Sequence, residues 1–377
     1  MNKLTSAQLK LQSEAREFSE TVLRPNASRL DLAGGFPREW FRSCGELGFI
    51  GASFPSQCGG LGFGYSEAVL ILEELAKHSC ALGVALGAHI QCAKVLQREG
   101  TEEQKRTILR PALNGELLLS YALTEKNSGS DVLGLETTAK KVGNEWLING
   151  SKRWITNAGE AQAYILSAKT DSDRSRRGVS LFLVEQDTPG LRTEPIEHKM
   201  GIRNVSVSNL FLEDCRIPEK NLVGTVGCGY DISHIGLDDS RLYLSAVSVG
   251  VSAGALEHAL EYTKRREQFD RPITSYQGVS FPLSEMYTDL CAGRAMLYDV
   301  ASDADHGLSI RVKAAALKLF ASESCCRICD QALQLLGGNG YSHEYEVERY
   351  LRDSRMLKLA GGTSEICKVI ISNSLTY

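Results

Sequence analysis

The spacing of apolar residues changes twice along this chain of 377 residues, and that change constrains the fold more than any single motif. From residue 1 to about 118 the pattern is helical. EAVLILEELAKH (67–78) places apolar side chains three and four apart, the repeat of a helix face. Thr5-Ser6-Ala7-Gln8 and Thr101-Glu102-Glu103-Gln104 fit a capping box, in which Thr and Gln side chains satisfy backbone groups left open at a helix start. From about 119 to 227 the repeat shortens. VGNEWLINGSKRWIT carries Gly143-Asn144 and Asn149-Gly150, both read as hairpin turns between β-favouring residues. AYILSAK, GVSLFLVE and VSVSNLFLED follow as short strands, the pattern of a small β-barrel or sandwich. After Gly229 helices return, and LYLSAVSVGVSAGALEHALEY (242–262) is rich in the small residues that let helices pack closely. The expected fold is mainly α with a β middle domain: helical over 1–118, β over 119–227, helical over 228–377.

Composition narrows the function classes. A net charge of −4 and a pI near 6.0 argue against a general nucleic-acid binder, which usually presents a basic face. There is no run of 18 or more apolar residues, so no membrane span is expected. The polar, amphipathic N-terminus lacks a signal-peptide core. Eleven cysteines lack paired metal spacing; Cys326-x-x-Cys329 stands alone inside an apparent helix with Cys325, so buried reduced thiols are expected and no metal site. Cytoplasm is the expected location. GGLGFG (59–64) does not follow a strand and so is read as a loop rather than a dinucleotide fingerprint. Neither a phosphate loop, a zinc-helix motif nor a nucleophile elbow is present.

Four separated stretches carry more information. YALTEKNSGSD (121–131), WIT (154–156), RREQF (265–269) and QLLGGNGYSHEYEVERYLRD (334–353) occur in that order, with GGLG near residue 60 and a closing GGTSEI. Together they resemble the acyl-CoA dehydrogenase family of flavoproteins over nearly the whole chain. The resemblance implies a helical domain, a middle β-domain and a C-terminal four-helix bundle, with FAD at a contact between subunits of a dimer or tetramer.

Residue by residue, the resemblance places Tyr121, Leu123, Thr124, Gly129 and Ser130 along the flavin, where hydroxyls and N–H groups stabilise the reduced ring. Trp154 would stack on it and Thr156 would bond near N5. Arg266 and Phe269 would reach the FAD of the neighbouring subunit, Arg266 toward the pyrophosphate. Gln277, Gln334, Gly337 and Gly338 match adenosine-side contacts, and Thr363 and Glu365 a further cofactor contact. Asp238 and Arg241, in GLDDSR (236–241), would meet the pantetheine arm of the substrate, an arm common to coenzyme A and acyl carrier proteins. The usual proline after Thr-Glu is Lys126 here, which is expected to loosen that loop or place a charge near the thioester entry.

Most members of the resembled family remove an α-proton with a glutamate immediately before the Gly-Thr of the closing turn; here that position is Gly361. A minority place the base where this chain has Ser240. Both positions lack a carboxylate. The backbone N–H of Gly361 still suits the thioester carbonyl, so activation is retained while the usual base is not. His89, in the segment expected to close the acyl pocket, is one replacement base, its imidazole titrating near pH 6.5. Asp239 neighbours Ser240 but is turned about 100° around the helix. The favoured reading is an FAD-dependent oxidation of an unusual acyl thioester, such as a hydroxyacyl or aminoacyl group on a carrier protein. The alternatives are ordinary α,β-dehydrogenation with a relocated base, or a binding homologue without catalysis. Electron-transfer flavoprotein or oxygen would accept the electrons.

Overall fold

The computed structural model describes residues 4–171 and 175–376. Its N-terminal part holds α1 (Ser6–Phe18), α2 (Ala27–Ala33), α3 (Arg38–Glu46), α4 (Tyr65–Ala76), α5 (Cys80–Glu99), α6 (Glu102–Gln104) and α7 (Arg110–Leu113). Both expected capping boxes form: Thr5 Oγ1 accepts from the Gln8 N–H at 3.2 Å, and Thr101 Oγ1 from the Gln104 N–H at 3.2 Å. The GGLGFG stretch lies in the loop before α4. Helix α4 is buried all round from Glu67 to Ala76, so its acids need partners. Glu73 accepts from Arg294 at 2.7 Å and Glu74 from Arg16 at 2.8 Å. Among the described residues, α5 alone is long and apolar enough to cross a bilayer, and it is packed inside the protein.

The middle part comprises β1 (Leu119–Ala122), β2 (Thr138–Val142), β3 (Glu145–Thr156), β4 (Ala163–Lys169), β5 (Val179–Glu185), β6 (Leu191–Pro195), β7 (Val207–Pro218) and β8 (Leu222–Val223). They form one sheet in the order β6-β7-β3-β2-β4-β5-β8, with β1 beside β4. Strands β2 and β4 share a single residue pair, Thr138 with Lys169, and the sheet folds there. Trp146 of β3 consequently meets Phe182 of β5, ring centroids 5.2 Å apart. Gly143-Asn144 is the hairpin turn the sequence suggests, joining β2 to β3. Asn149-Gly150 is not a turn. It lies inside β3 at a register shift against β7, because the long β7 partner continues the ladder past it. A Cβ on Gly150 would stand 2.5 Å from Thr137 Oγ1, so glycine there serves a close approach.

The C-terminal part is built on α8 (Gly229–Arg265), α9 (Gln277–Asp305) and α10 (Arg311–Leu336), followed by α11 (Val347–Leu357) and α12 (Ser364–Thr376). Helix α8 packs on α4 and α5 as its small residues suggest: a Cβ on Gly250 would lie 2.3 Å from the Glu73 carbonyl oxygen. Ser245, Ser248 and Ser252 return their hydroxyls to carbonyls four residues back, so a polar stripe is buried without an unmet donor. A two-residue hairpin between β9 (Glu267–Gln268) and β10 (Arg271–Pro272) follows α8, with Phe269 and Asp270 at φ 52° and 60°. All eleven cysteines are free; Cys325 and Cys329 are buried in α10 and Cys326 is half-buried beside them.

Candidate active site

A ledge on the β-domain is shaped by a buried ion pair. Lys152, on β3, donates to Glu125 Oε1 at 2.6 Å, to the Leu123 carbonyl at 3.1 Å and to Ser167 Oγ at 3.3 Å. Glu125 also accepts the N–H groups of Glu136 at 2.6 Å and Thr137 at 3.2 Å. Burial pulls the Lys152 ammonium down to about 8, against the attraction of Glu125. Burial also opposes the Glu125 carboxylate, but Lys152 and the hydrogen bonds hold it below its ordinary value. The loop between the two partners is therefore tight. Glu125 N–H donates to the Ser128 carbonyl at 2.8 Å, and Ser128 Oγ to the Asp131 carbonyl at 2.7 Å. Lys126 points out of this braced turn into solvent, so the missing proline does not loosen it.

On that ledge Thr124 and Thr156 are half-buried and Ser130 is exposed, and their hydroxyls have no protein partner among the described residues. Between Lys152 and Ile155 the ladder to β7 skips a residue, and Trp154 sits at φ 61° with 54% of its surface exposed. The bulge turns this aromatic face out of the sheet. Unpartnered hydroxyls beside an exposed indole fit a polar heterocycle such as the flavin. Tyr121 is half-buried on β1, and its hydroxyl donates to Ser233 Oγ at 2.8 Å, which ties β1 to α8. Leu123 contributes the carbonyl held by Lys152, and Gly129 is exposed with open space where a Cβ would lie.

A second group forms around the closing turn. Gly361 and Gly362 adopt φ of 66° and 93°, a region glycine enters freely. Arg241 Nε donates to the Gly361 carbonyl at 3.1 Å, and its Nη1 pairs with Asp238. Burial raises the Asp238 carboxyl above its ordinary value, Arg241 opposing the rise. Ser240 Oγ lies 3.6 Å from the point a Cβ on Gly361 would occupy, so the two carboxylate-free positions share one space. Asp239 faces elsewhere: it pairs with Arg98 and accepts from Tyr65 OH at 3.1 Å. Thr363 is half-buried at the start of α12, its Oγ1 accepting from the Ile366 N–H at 3.4 Å, while Glu365 is exposed.

His89 does not serve as the replacement base. It is fully buried; its Nδ1 accepts from the Leu119 N–H at 3.0 Å and its Nε2 bonds the Ala112 carbonyl at 3.1 Å. Those partners leave neither nitrogen for a substrate, and burial lowers its pKa to about 4. Its ring packs edge-on against Phe41, centroids 5.0 Å apart. A third group is exposed on the bundle: Arg266 at the base and Phe269 at the tip of the β9–β10 hairpin, Gln277 at the start of α9, and Gln334, Gly337 and Gly338 at the end of α10. Among the described residues no hydrogen bond or ion pair joins these to the ledge within one chain. Among the described residues one set of metal-type ligands converges, Glu20, His78 and Glu257, and Lys77 already bridges its two carboxylates at 2.9 and 2.7 Å.

Sequence reasoning passed over Glu125, Lys152, Ser233 and Lys318. For Lys318 a signal existed: it falls on the apolar stripe of α10, in register with Ala314, Ala321 and Cys325.

Comparison with known proteins follows this geometry. Residues 5–116, 120–215 and 227–376 match the family models for the N-terminal, middle and C-terminal domains of acyl-CoA dehydrogenase. A probable acyl-CoA dehydrogenase of Bacillus subtilis, YngJ, is 38% identical over 99% of this chain and 98% of its own. The butyryl-CoA dehydrogenase structure from Megasphaera elsdenii superposes with a TM-score of 0.97 at 34% identity, covering 100% of both chains. The prolyl acyl carrier protein oxidase AnaB superposes with a TM-score of 0.96 at 32% identity, also over 100% of both chains.

Proposed function

This chain belongs to the acyl-CoA dehydrogenase family and is an FAD-dependent oxidoreductase of acyl thioesters; from that premise we propose that it oxidises a short polar acyl group carried on an acyl carrier protein. The observation that carries the reading is that neither usual base position at the turn holds a carboxylate. Gly361 and Ser240 supply none, Asp238 is paired with Arg241, and Asp239 is paired with Arg98. Removal of an α-proton from an alkyl thioester needs such a group. Oxidation of a hydroxyl- or ammonium-bearing carbon needs a hydride from carbon and release of a proton to solvent from the hydroxyl or ammonium, sites more acidic than an α-carbon.

Bound FAD supplies the two-electron acceptor. The residues of this chain do the rest. Thr124, Ser130 and Thr156 offer hydroxyls to the ring edge, and Trp154 offers its face. The Gly361 N–H donates to the thioester carbonyl, and Arg241 with Asp238 meets the pantetheine arm. Arg266, Phe269, Gln277, Gln334, Gly337 and Gly338 contact FAD from across a subunit contact, which makes the working unit a homo-oligomer. Thr363 and Glu365 lie toward the cofactor. Electron-transfer flavoprotein or oxygen takes the electrons, in the cytoplasm. The similarity to AnaB supports a carrier-protein substrate.

The deciding experiment is mass spectrometry of products from a panel of hydroxyacyl, aminoacyl and alkyl thioesters, each loaded on coenzyme A and on carrier protein. Oxidation confined to polar acyl groups supports the reading; equal turnover of alkyl groups overturns it.

A further inference from the structure

Lys318 sits on α10 with 1% of its surface exposed, and no carboxylate lies within ion-pair distance among the described residues. Its Nζ donates to two backbone oxygens, Gly362 at 2.8 Å and Lys358 at 3.1 Å. The other buried lysines are provided for differently. Lys152 has Glu125, and Lys94 has the Ser53 carbonyl with the Phe54 and Tyr65 rings 4.3 and 4.6 Å away. An ammonium buried without a counter-charge is costly, so a chain that keeps one gains something from it.

The gain is geometric. Arg241, from α8, holds the Gly361 carbonyl, while Lys318, from α10, holds those of Lys358 and Gly362. Two cations on two rigid helices thus fix three carbonyls of the 358–362 turn. A peptide unit is planar, and the Gly361 N–H belongs to the 360–361 unit; anchoring the oxygens of Lys358 on one side and of Gly361 and Gly362 on the other pins the chain at both ends of that unit. Without those anchors two successive glycines would sample many conformations. Arg241 is matched by Asp238 and Lys358 by Glu323, whereas Lys318, its pKa lowered by burial, meets backbone oxygens and no carboxylate within ion-pair distance among the described residues.

We infer that Lys318 is a positioning residue for thioester activation, locking the 358–362 turn so that the Gly361 N–H faces the thioester carbonyl. This rests on the placement of the thioester at Gly361 under Proposed function, but not on which acyl group is oxidised.

The test uses the FAD-loaded holoenzyme and an acetyl thioester labelled with ¹³C at its carbonyl, carried on coenzyme A and separately on an acyl carrier protein; acetyl has no β-carbon to oxidise. In isotope-edited infrared spectra, the carbonyl stretch moves to lower wavenumber on binding to the native protein. Lys318→Met loses most of that displacement while FAD content stays at the native level, and kcat on the fastest-oxidised thioester of the hydroxyacyl, aminoacyl and alkyl panel falls roughly tenfold or more with little change in KM. Lys318→Gln, which keeps one N–H but no charge, gives an intermediate displacement and decides the matter if the Met variant does not fold. A native-size displacement in whichever of the two folds overturns the inference. No displacement in the native protein overturns the placement of the thioester as well. Oxidation of alkyl thioesters with the Lys318 dependence intact would sink the polar-acyl reading alone.

Discussion

Leu244 Cδ1 occupies the space that a side chain on Gly361 would enter, 2.8 Å from where its Cβ would sit. Restoring the family's carboxylate is therefore not a one-residue change. Glu at 361 would have to hold φ near 66°, at a cost of about 1–2 kcal/mol for a non-glycine residue. It would also have to displace Leu244, which is 6% exposed and packed in the core. Gly361→Glu alone is expected to leave alkyl-CoA dehydrogenation undetectable and to lower the melting temperature. Adding Leu244→Ala opens room for the carboxylate, and the double variant is expected to gain that activity. An active single variant would show that the turn and Leu244 yield more easily than their packing indicates.

Butyryl-CoA and octanoyl-CoA should be poor substrates of the native protein. A competent general base contributes about 10²–10⁴-fold, and the turn lacks one, so their turnover should fall that far below a family member with the glutamate. Stopped-flow bleaching of the flavin absorbance on mixing gives the rate directly. Bleaching at the rate of such a member would mean that a carboxylate reaches the α-carbon from elsewhere.

The parts of this architecture that are local were legible in the sequence. Thr5 and Thr101 cap helices because the partner Gln lies three residues on, and Gly143-Asn144 turns because the hairpin closes on itself. Asn149-Gly150 carries a hairpin signal of the same kind, yet pairing with β7 keeps it extended, a contact more than sixty residues away. The positive φ of Trp154 depends on the same β7 ladder and leaves no mark in the alternation of β3. His89 looked available because its two backbone partners, Ala112 and Leu119, come from other elements. The residues proposed to face the cofactor were named by resemblance, and the groups that brace their loop, Glu125 and Lys152, become visible only once loop and strand are side by side.

Arg266 is exposed and has no ion-pair partner among the described residues. If it meets the FAD pyrophosphate of a neighbouring subunit, Arg266→Ala should cost about 1.5–3 kcal/mol of FAD affinity, or roughly 10- to 150-fold in Kd. Fluorescence of FAD released on dilution measures this. Phe269→Ala, at the hairpin tip and 87% exposed in the single chain, should weaken both subunit association and FAD retention, as judged by sedimentation. Full FAD occupancy in a monomer would contradict the assignment of both residues.

The last prediction separates stability from catalysis at His89. Burial holds its pKa at about 4 in the folded protein, against about 6.5 when unfolded. His258, pushed down to about 4 by burial beside His78, behaves alike. For a histidine whose folded pKa is depressed, the unfolded chain binds more protons between the two values. Stability is therefore fully present above about pH 6.5 and is lost as pH falls toward 4. Each group is worth up to about 3 kcal/mol across that window. Urea unfolding of the native protein should show the midpoint falling steeply from pH 6.5 to 4.5, and His89→Gln should flatten part of that slope. The same variant, with FAD bound at pH 7.5, should keep the native pH profile of kcat, because His89 has no nitrogen to give a substrate. A variant that loses one limb of the profile while its unfolding slope stays native would return His89 to the reaction.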